Sequence, residues 1–147
     1  MASEWELITT GLAAYLTTCL QAAYAADCFA EDVTAGTHDF QELSAAFTPA
    51  IALWQGPRTQ PDPDVPSYHR IMRLKAVIRR QDASAQVMQT EGNALERLID
   101  TWLSDLNLLN GIGVSCWQGP GQTSDVFGGA SECWVEYDFT IRYRQSL

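Results

Sequence analysis

Basic residues are scarce in this chain of 147 residues: nine lysines and arginines stand against eighteen aspartates and glutamates, a formal net charge of −9. Such a chain repels phosphates, which argues against non-specific nucleic-acid binding. Long hydrophobic runs are also missing. The most apolar stretch, residues 11–26, is interrupted by Tyr15 and Thr17 and follows no basic region, so it predicts neither a membrane span nor a signal peptide. We expect no membrane contact and a location in the cytoplasm or in a particle assembled there.

Metal-binding residues are few and badly spaced. The chain has four cysteines and two histidines, and no cysteine pair has the C-x-x-C spacing of a zinc site. In a reducing compartment the thiols are expected to be free and buried. A disulfide between Cys116 and Cys133, facing each other across a hairpin, is the alternative. No metal and no cofactor is predicted.

Catalytic motifs are absent as well. The sequence has no G-x-S-x-G, no P-loop and no G-x-G-x-x-G after a strand, and nothing brings His38 or His69 near a nucleophile. Two carboxylate pairs have the i, i+2 spacing of some acid–base or metal sites: Asp62 with Asp64, and Glu136 with Asp138. Solvated carboxylates or salt bridges between protomers explain these pairs better, so we predict no enzyme.

The length suits one domain spanning residues 1–147, and 46% of the residues are hydrophobic. A capping box of Ser3 and Glu6 followed by apolar residues at helical spacing predicts a helix over residues 4–26. A second helix, capped by Asp82 or Ser84, is predicted to end at residues 110–111. Alternation that is broken at Arg70, Ile71 and Val77 predicts a long strand over residues 68–79, and cleaner alternation predicts another over 132–144. Shorter strands are predicted at 49–54 and 112–117, and irregular segments at 27–48, 56–66 and 118–129.

The two halves of the chain share a repeat. Residues 54–57 and 117–120 have the same sequence, Trp-Gln-Gly-Pro, and Ile-Arg recurs at 78–79 and 141–142, both at an offset of 63 residues. Two anchors in register indicate a structural duplication. The predicted fold is therefore α+β: two αββ units whose hairpins, each with a large tip loop, form a four-stranded antiparallel sheet against two helices.

Charge and aromatic patterns point to self-association. At the offset of 63, Arg73 aligns with Glu136 and Lys75 with Asp138, so equivalent places carry opposite charges that suit head-to-tail pairing between copies. Trp134 projects from the polar side of the last strand, where a large ring normally needs a partner surface. The residues predicted to form a self-association interface are Arg73, Lys75, Arg79, Trp134, Glu136, Asp138 and Arg142.

Long loops on a rigid sheet commonly carry binding residues. The proline-rich and glycine-rich segments that follow the two Trp-Gln-Gly-Pro motifs are therefore the predicted partner-binding loops. The residues assigned to them are Trp54, Arg58, Asp62, Asp64, Trp117 and Phe127.

The predicted element order, the long loops after Trp54 and Trp117, and the final segment 134–144 resemble the tail terminator (tail completion) proteins of long-tailed bacteriophages. The likeness covers nearly the whole chain and is one of topology. It implies a hexameric ring that stops tail-tube polymerisation and joins the tail to the head or neck, without catalysis. The partners implied are the chain itself, the tail tube protein and a neck or head-completion protein, in a virion assembled in the bacterial cytoplasm. The acidic segment 27–48 has no counterpart in that pattern.

The wall of such a ring would be acidic, so genome DNA is expected to pass without specific binding. Two alternatives stay open. One is a different structural joint of the same particle, such as a neck, head-completion, tube or baseplate protein. The other is a small enzyme or ligand-binding domain.

Overall fold

A computed structural model describes residues 4–32, 49–60, 62–104, 114–117 and 123–144. In chain order the elements are α1 (Glu4–Ala23), β1 (Phe29–Asp32), β2 (Ala50–Thr59), β3 (Ser67–Arg79), α2 (Ala85–Ser104), β4 (Val114–Trp117), β5 (Thr123–Gly129) and β6 (Glu132–Arg144).

The strands form one mixed sheet in the order β1-β2-β3-β6-β4, and β5 also pairs with β6. β4 and β5 pair with successive stretches of β6, so six strands occupy five positions. β1 is parallel to β2, and the other pairs are antiparallel. The α+β class is confirmed, but the purely antiparallel, four-stranded sheet is wrong.

Two short segments account for the difference. Phe29–Asp32 has only four residues, too few for alternation to reveal a strand, and it adds to the sheet by pairing with the start of β2. The remainder of the predicted loop 27–48, residues 33–48, lies outside the described residues. Thr123–Gly129 falls in a predicted flexible loop and is instead strand β5.

The glycines of β5 serve packing. A Cβ on Gly128 would lie 3.0 Å from Gln89 Cα, and one on Gly92 would lie 2.6 Å from Val126 Cγ1. Glycine on both elements lets α2 approach β5 closely. The β5–β6 turn is short, through Ala130 and Ser131, and strand β5 occupies residues 123–129 of the loop predicted over 118–129.

Both helices pack on the same face of the sheet, called the inner face below. The alternation of β6 is confirmed, and the helical stripes are confirmed in part. The buried cluster contains the predicted stripe residues Ile8, Leu12, Leu16, Leu20, Leu95, Ile99 and Leu103, but not Cys19, Ala23 or Leu98, and Leu106 lies outside the described residues. α2 begins after Ser84, whose hydroxyl accepts a hydrogen bond from the Val87 amide at 3.2 Å, so Ser84 and not Asp82 is the cap. The Tyr15 hydroxyl donates to the Trp102 carbonyl at 2.9 Å and ties α1 to α2.

The β2–β3 hairpin is present, and β4 pairs with β6 as the predicted hairpin of 112–117 with 132–144 requires. β5, which lies between these two strands in the chain, also pairs with β6, and β3 pairs with β6 at the centre of the sheet. The offset of 63 is not kept in the strand register, however. Trp54 lies opposite Arg73, whereas Trp117 lies opposite Thr140 and not opposite Glu136.

The predicted disulfide alternative is wrong. Cys116 is in register with Ile141, eight residues along β6 from Cys133, which corresponds to about 26 Å. Cys133 is a buried free thiol. Neither described helix is long and apolar enough to cross a membrane.

Candidate functional site

The face of the sheet opposite the two helices, called the outer face, holds most of the predicted interface residues. Because side chains alternate along a strand, Ile71, Arg73 and Lys75 of β3 share this face with Glu136 and Asp138 of β6. Ile71 is 47% exposed and the side chain of Arg73 is 67% exposed. This face is therefore the candidate site of contact with other proteins.

The predicted interface charges pair within one chain. Arg73 Nε lies 3.1 Å from Asp138 Oδ1, and Lys75 Nζ lies 3.7 Å from Glu136 Oε1. Each pair joins residues directly opposite across β3 and β6, as does Arg79 with Glu132 at 3.0 Å. Cross-strand pairing thus accounts for the opposite signs that the sequence repeat attributed to contacts between copies.

Trp134 also finds neighbours within the chain. Its ring stacks on Phe127 with 5.8 Å between ring centres, and Lys75 Nζ lies 5.0 Å from its centre. Phe127, assigned from the sequence to a glycine-rich loop, belongs to strand β5 and is 42% exposed. Together the two rings form an aromatic patch near one edge of the outer face.

Part of the outer face is closed. Ala50, Ala52 and Val77 are at most 1% exposed, although β2 and β3 direct them away from the helices. Ala50 and Ala52 pack with Phe29 and Trp54 in a small second cluster. The open part of the face therefore begins beside Trp54 and extends toward the β2–β3 hairpin tip.

A groove of about 460 Å³ lies in this open part, lined by Trp54, Gln55, Gly56, Pro57, Ile71, Arg73 and Asp138. It follows from a bulge in β2, where the register with β3 shifts between Gln55 and Arg58. The bulge needs glycine, because a Cβ on Gly56 would lie 2.7 Å from the Ile71 carbonyl oxygen. The bulge also admits Pro57 into a strand that the sequence predicted to stop at Trp54.

The loop at the tip of the β2–β3 hairpin is held by internal hydrogen bonds. The Asp64 amide donates to Asp62 Oδ1 at 3.0 Å, and the Val65 amide to the Asp62 carbonyl at 3.1 Å. Gln60 Nε2 donates to the Val65 carbonyl at 2.9 Å. The side chains of residues 62–65 are exposed. The predicted binding residues Asp62 and Asp64 thus lie at the hairpin tip, held by an Asx turn.

Arg58, another predicted loop residue, lies in β2. Its guanidinium carbon is 4.4 Å from the centre of the Tyr68 ring, which in turn lies 5.7 Å from the Tyr143 ring. This cation–π contact places Arg58 on the side of the hairpin that faces away from the groove. The structure does not bring Arg58 together with the groove residues.

The remaining predicted residues are placed by their backbone register. Trp117, predicted to precede a binding loop, ends β4 opposite Thr140, and Arg142 pairs with Ser115 on one side and His69 on the other. The glycine-rich residues 118–122 lie outside the described residues.

Sequence reasoning missed three features of the site. In the sequence Ile71 only breaks the alternation of β3, yet an apolar residue at an outward position is the signal that marks the groove. Gly56 and Gln55 lie in the repeated motif, but the bulge they form depends on the facing strand. On the inner side, Gln55 Nε2 donates to the buried Asp32 at 2.6 Å, and Arg70 Nη1 donates to Gln55 Oε1 at 3.2 Å, which explains the polar Arg70 in an apolar row.

No three His, Cys, Asp or Glu side chains in the described ranges are grouped to hold a metal ion. Burial, with a smaller contribution from the nearby Glu91 carboxylate, raises the pKa of the Cys133 thiol to about 11. At neutral pH this thiol is protonated and belongs to the core.

No protein-family model matches the chain, and no curated protein matches it either.

Proposed function

We propose that this chain is a structural protein of a bacteriophage tail: it associates with copies of itself into a ring, caps the tail tube and joins the tail to the head or neck. The resemblance of the predicted element order supports this proposal, as does the pairing of β3 with β6 at the centre of the sheet. The structure adds β1 and β5 to that order. In this role the protein acts through its surfaces and not through a reaction.

The observation that carries the proposal is the open part of the outer face. Both described helices pack on the inner face, while Ile71 and Phe127 stay 47% and 42% exposed on the outer face. Ile71 lies opposite Thr140 and Phe127 opposite Trp134, so the two exposed side chains mark two places about 20 Å apart along β6. Exposed apolar side chains beside polar residues are typical of a protein–protein contact. Most of the charges nearby are paired across strands, so a partner can cover the face without leaving unpaired charges at its centre.

The chain's net charge of −9 suits a ring through which DNA moves. A surface rich in carboxylates repels the phosphate backbone, and passing DNA would not be held. The partners in this function are further copies of the chain, the tail tube protein and a neck or head-completion protein.

A second candidate is another joint of the same particle: a neck, head-completion, tube or baseplate protein. Strand β1 favours it, because this parallel strand adds a position to the sheet that the tail-terminator pattern did not include. The two candidates differ in where the protein binds and in whether it limits tube length.

Mass photometry and negative-stain electron microscopy of the purified protein test the proposal. We expect closed rings of about six copies, or such rings once tail tube protein is added, together with an end to tube growth. A protein that remains monomeric at all concentrations and in the presence of tube protein would contradict the ring. Binding to the connector or baseplate without any effect on tube length would favour the second candidate.

A further inference from the structure

The groove beside Trp54 is concave and contains Arg73, whereas the proline-containing loop at the hairpin tip protrudes and carries two carboxylates. We propose that the loop of one copy, residues 62–66, docks in the groove of the next copy. The inference rests on the proposed function, because it names the contact by which copies would join. The two surfaces differ, so the contact is heterologous and can repeat head to tail around a closed ring.

The groove has the features of a site for proline-rich chain. Its walls include the indole of Trp54, Pro57 and the exposed Ile71, and its volume of about 460 Å³ is that of a binding cleft. Proline restricts the backbone before binding, so a proline-containing turn loses little entropy when it packs on an aromatic wall. Trp54 supplies the flat surface on which a proline ring can pack.

The loop has the matching features. Its sequence from residue 62 is Asp-Pro-Asp-Val-Pro, with Asp62, Pro63, Asp64 and Val65 exposed. The hydrogen bonds described for it run from Gln60 and within residues 62–67, so the loop is closed upon itself and not upon its own groove. Val65 is 39% exposed and offers an apolar side chain beside the two carboxylates.

Charge favours this pairing over an apolar occupant. Arg73 contacts Asp138 through Nε, yet its side chain is 67% exposed, which leaves room for a second carboxylate at the guanidinium. Arg73 lines the groove beside Asp138, which its Nε contacts, and the loop carries two carboxylates in three residues.

Two charge changes test the contact, each at an exposed residue. Asp64→Lys alters the loop and leaves Asp62 to hold the Asx turn, whereas Ile71→Glu places a carboxylate in the groove. For each variant alone, the fraction of chains found in assemblies is expected to fall at least tenfold in mass photometry. Val87→Glu is the matched control, because Val87 is 49% exposed on α2, and it should assemble like the unchanged protein.

Mixing gives the sharper readout. In an equal mixture, the loop of the Asp64→Lys variant presents an ammonium group to the carboxylate in the groove of the Ile71→Glu variant. The unchanged loop of the second variant likewise meets the unchanged groove of the first. Assemblies containing both variants in alternation are therefore expected, and native mass spectrometry of differently labelled variants would count them. A double variant carrying both changes in one chain should also assemble.

Several results would overturn the contact. Failure of the mixture to assemble rejects it, and so does normal assembly of either single variant. If Ile71→Glu prevents assembly but Asp64→Lys does not, the groove binds a different occupant. Rings of six copies that ignore both changes would reject the contact and leave the proposed function standing. Open chains that need both loop and groove would keep the contact and reject the ring, whereas a strictly monomeric protein rejects both.

Discussion

The ammonium nitrogen of Lys75 lies 5.0 Å from the centre of the Trp134 ring. Lys75 also faces Glu136 across the strands, so it joins the charged row of the outer face to the aromatic patch. On its other side, Trp134 stacks with Phe127 at 5.8 Å. The large ring on the polar side of β6 is therefore held within its own chain.

The stacked pair predicts coupled effects on stability. Phe127→Ala and Trp134→Ala should each lower the free energy of unfolding, and the double variant should lose less than the two losses added, by about 0.5–1.5 kcal/mol. A double-mutant cycle in urea denaturation measures this coupling. Strict additivity would mean that the two rings do not interact in solution.

Neighbouring glycines in β5 provide a matched pair of substitutions. A Cβ at position 128 would lie 3.0 Å from Gln89 Cα, whereas one at Gly129 would find its nearest atom at 3.7 Å. Gly128→Ala should therefore lower the free energy of unfolding by about 1–3 kcal/mol, because α2 must move away from β5. Gly129→Ala should be neutral or stabilising by up to about 1 kcal/mol, since alanine restricts the unfolded chain. Equal effects in thermal unfolding would contradict the close packing of α2 on β5.

Charge reversal tests which acid faces Arg73. Arg73→Glu should cost about 0.2–1 kcal/mol of stability, as expected for an exposed pair, and Asp138→Arg in the same chain should recover most of that loss. Glu136→Arg should recover less, because Glu136 faces Lys75. Chemical denaturation at low salt measures both. Better recovery by Glu136→Arg would contradict the register of β3 and β6.

The buried Cys133 thiol predicts a dependence of stability on pH. Its pKa is about 11 in the folded chain, above the ordinary 9.0, so the unfolded chain loses this proton first as the pH rises. The stability from the protonated thiol is complete below pH 9 and is lost between about pH 9 and 11, by about 1–3 kcal/mol.

Comparison with Cys133→Ala isolates this contribution, because the variant lacks the titrating thiol. Its stability should fall less than that of the unchanged protein between pH 8 and 11. Alkylation with iodoacetamide at pH 8 should also modify the partly exposed Cys19 before Cys133. Rapid modification of Cys133 in the folded protein would argue against its burial.

Local periodicity was sufficient to predict the helices and strands that bury one face. The apolar stripe of α2 and the alternation of β3 and β6 are visible in the sequence, because burial selects side chains at a spacing of 3.6 or 2 residues. The cap at Ser84, one of two candidates, follows from the same local rules. These features determined the α+β class and most of the core.

Neighbours across the sheet were decided only by the tertiary structure. The repeat puts opposite charges at the equivalent positions Arg73 and Glu136, and only the register of β3 and β6 shows that Arg73 faces Asp138 of its own chain. In the sequence Gly128 indicated a loop, whereas in the structure it lies in β5 and lets α2 pack closely against that strand. The groove at Trp54 exists because the bulge at Gly56 meets the Ile71 carbonyl on the facing strand. Hydrogen bonds between distant strands, and steric contacts between elements, depend on which segments meet in space, and no local pattern of residues records that choice.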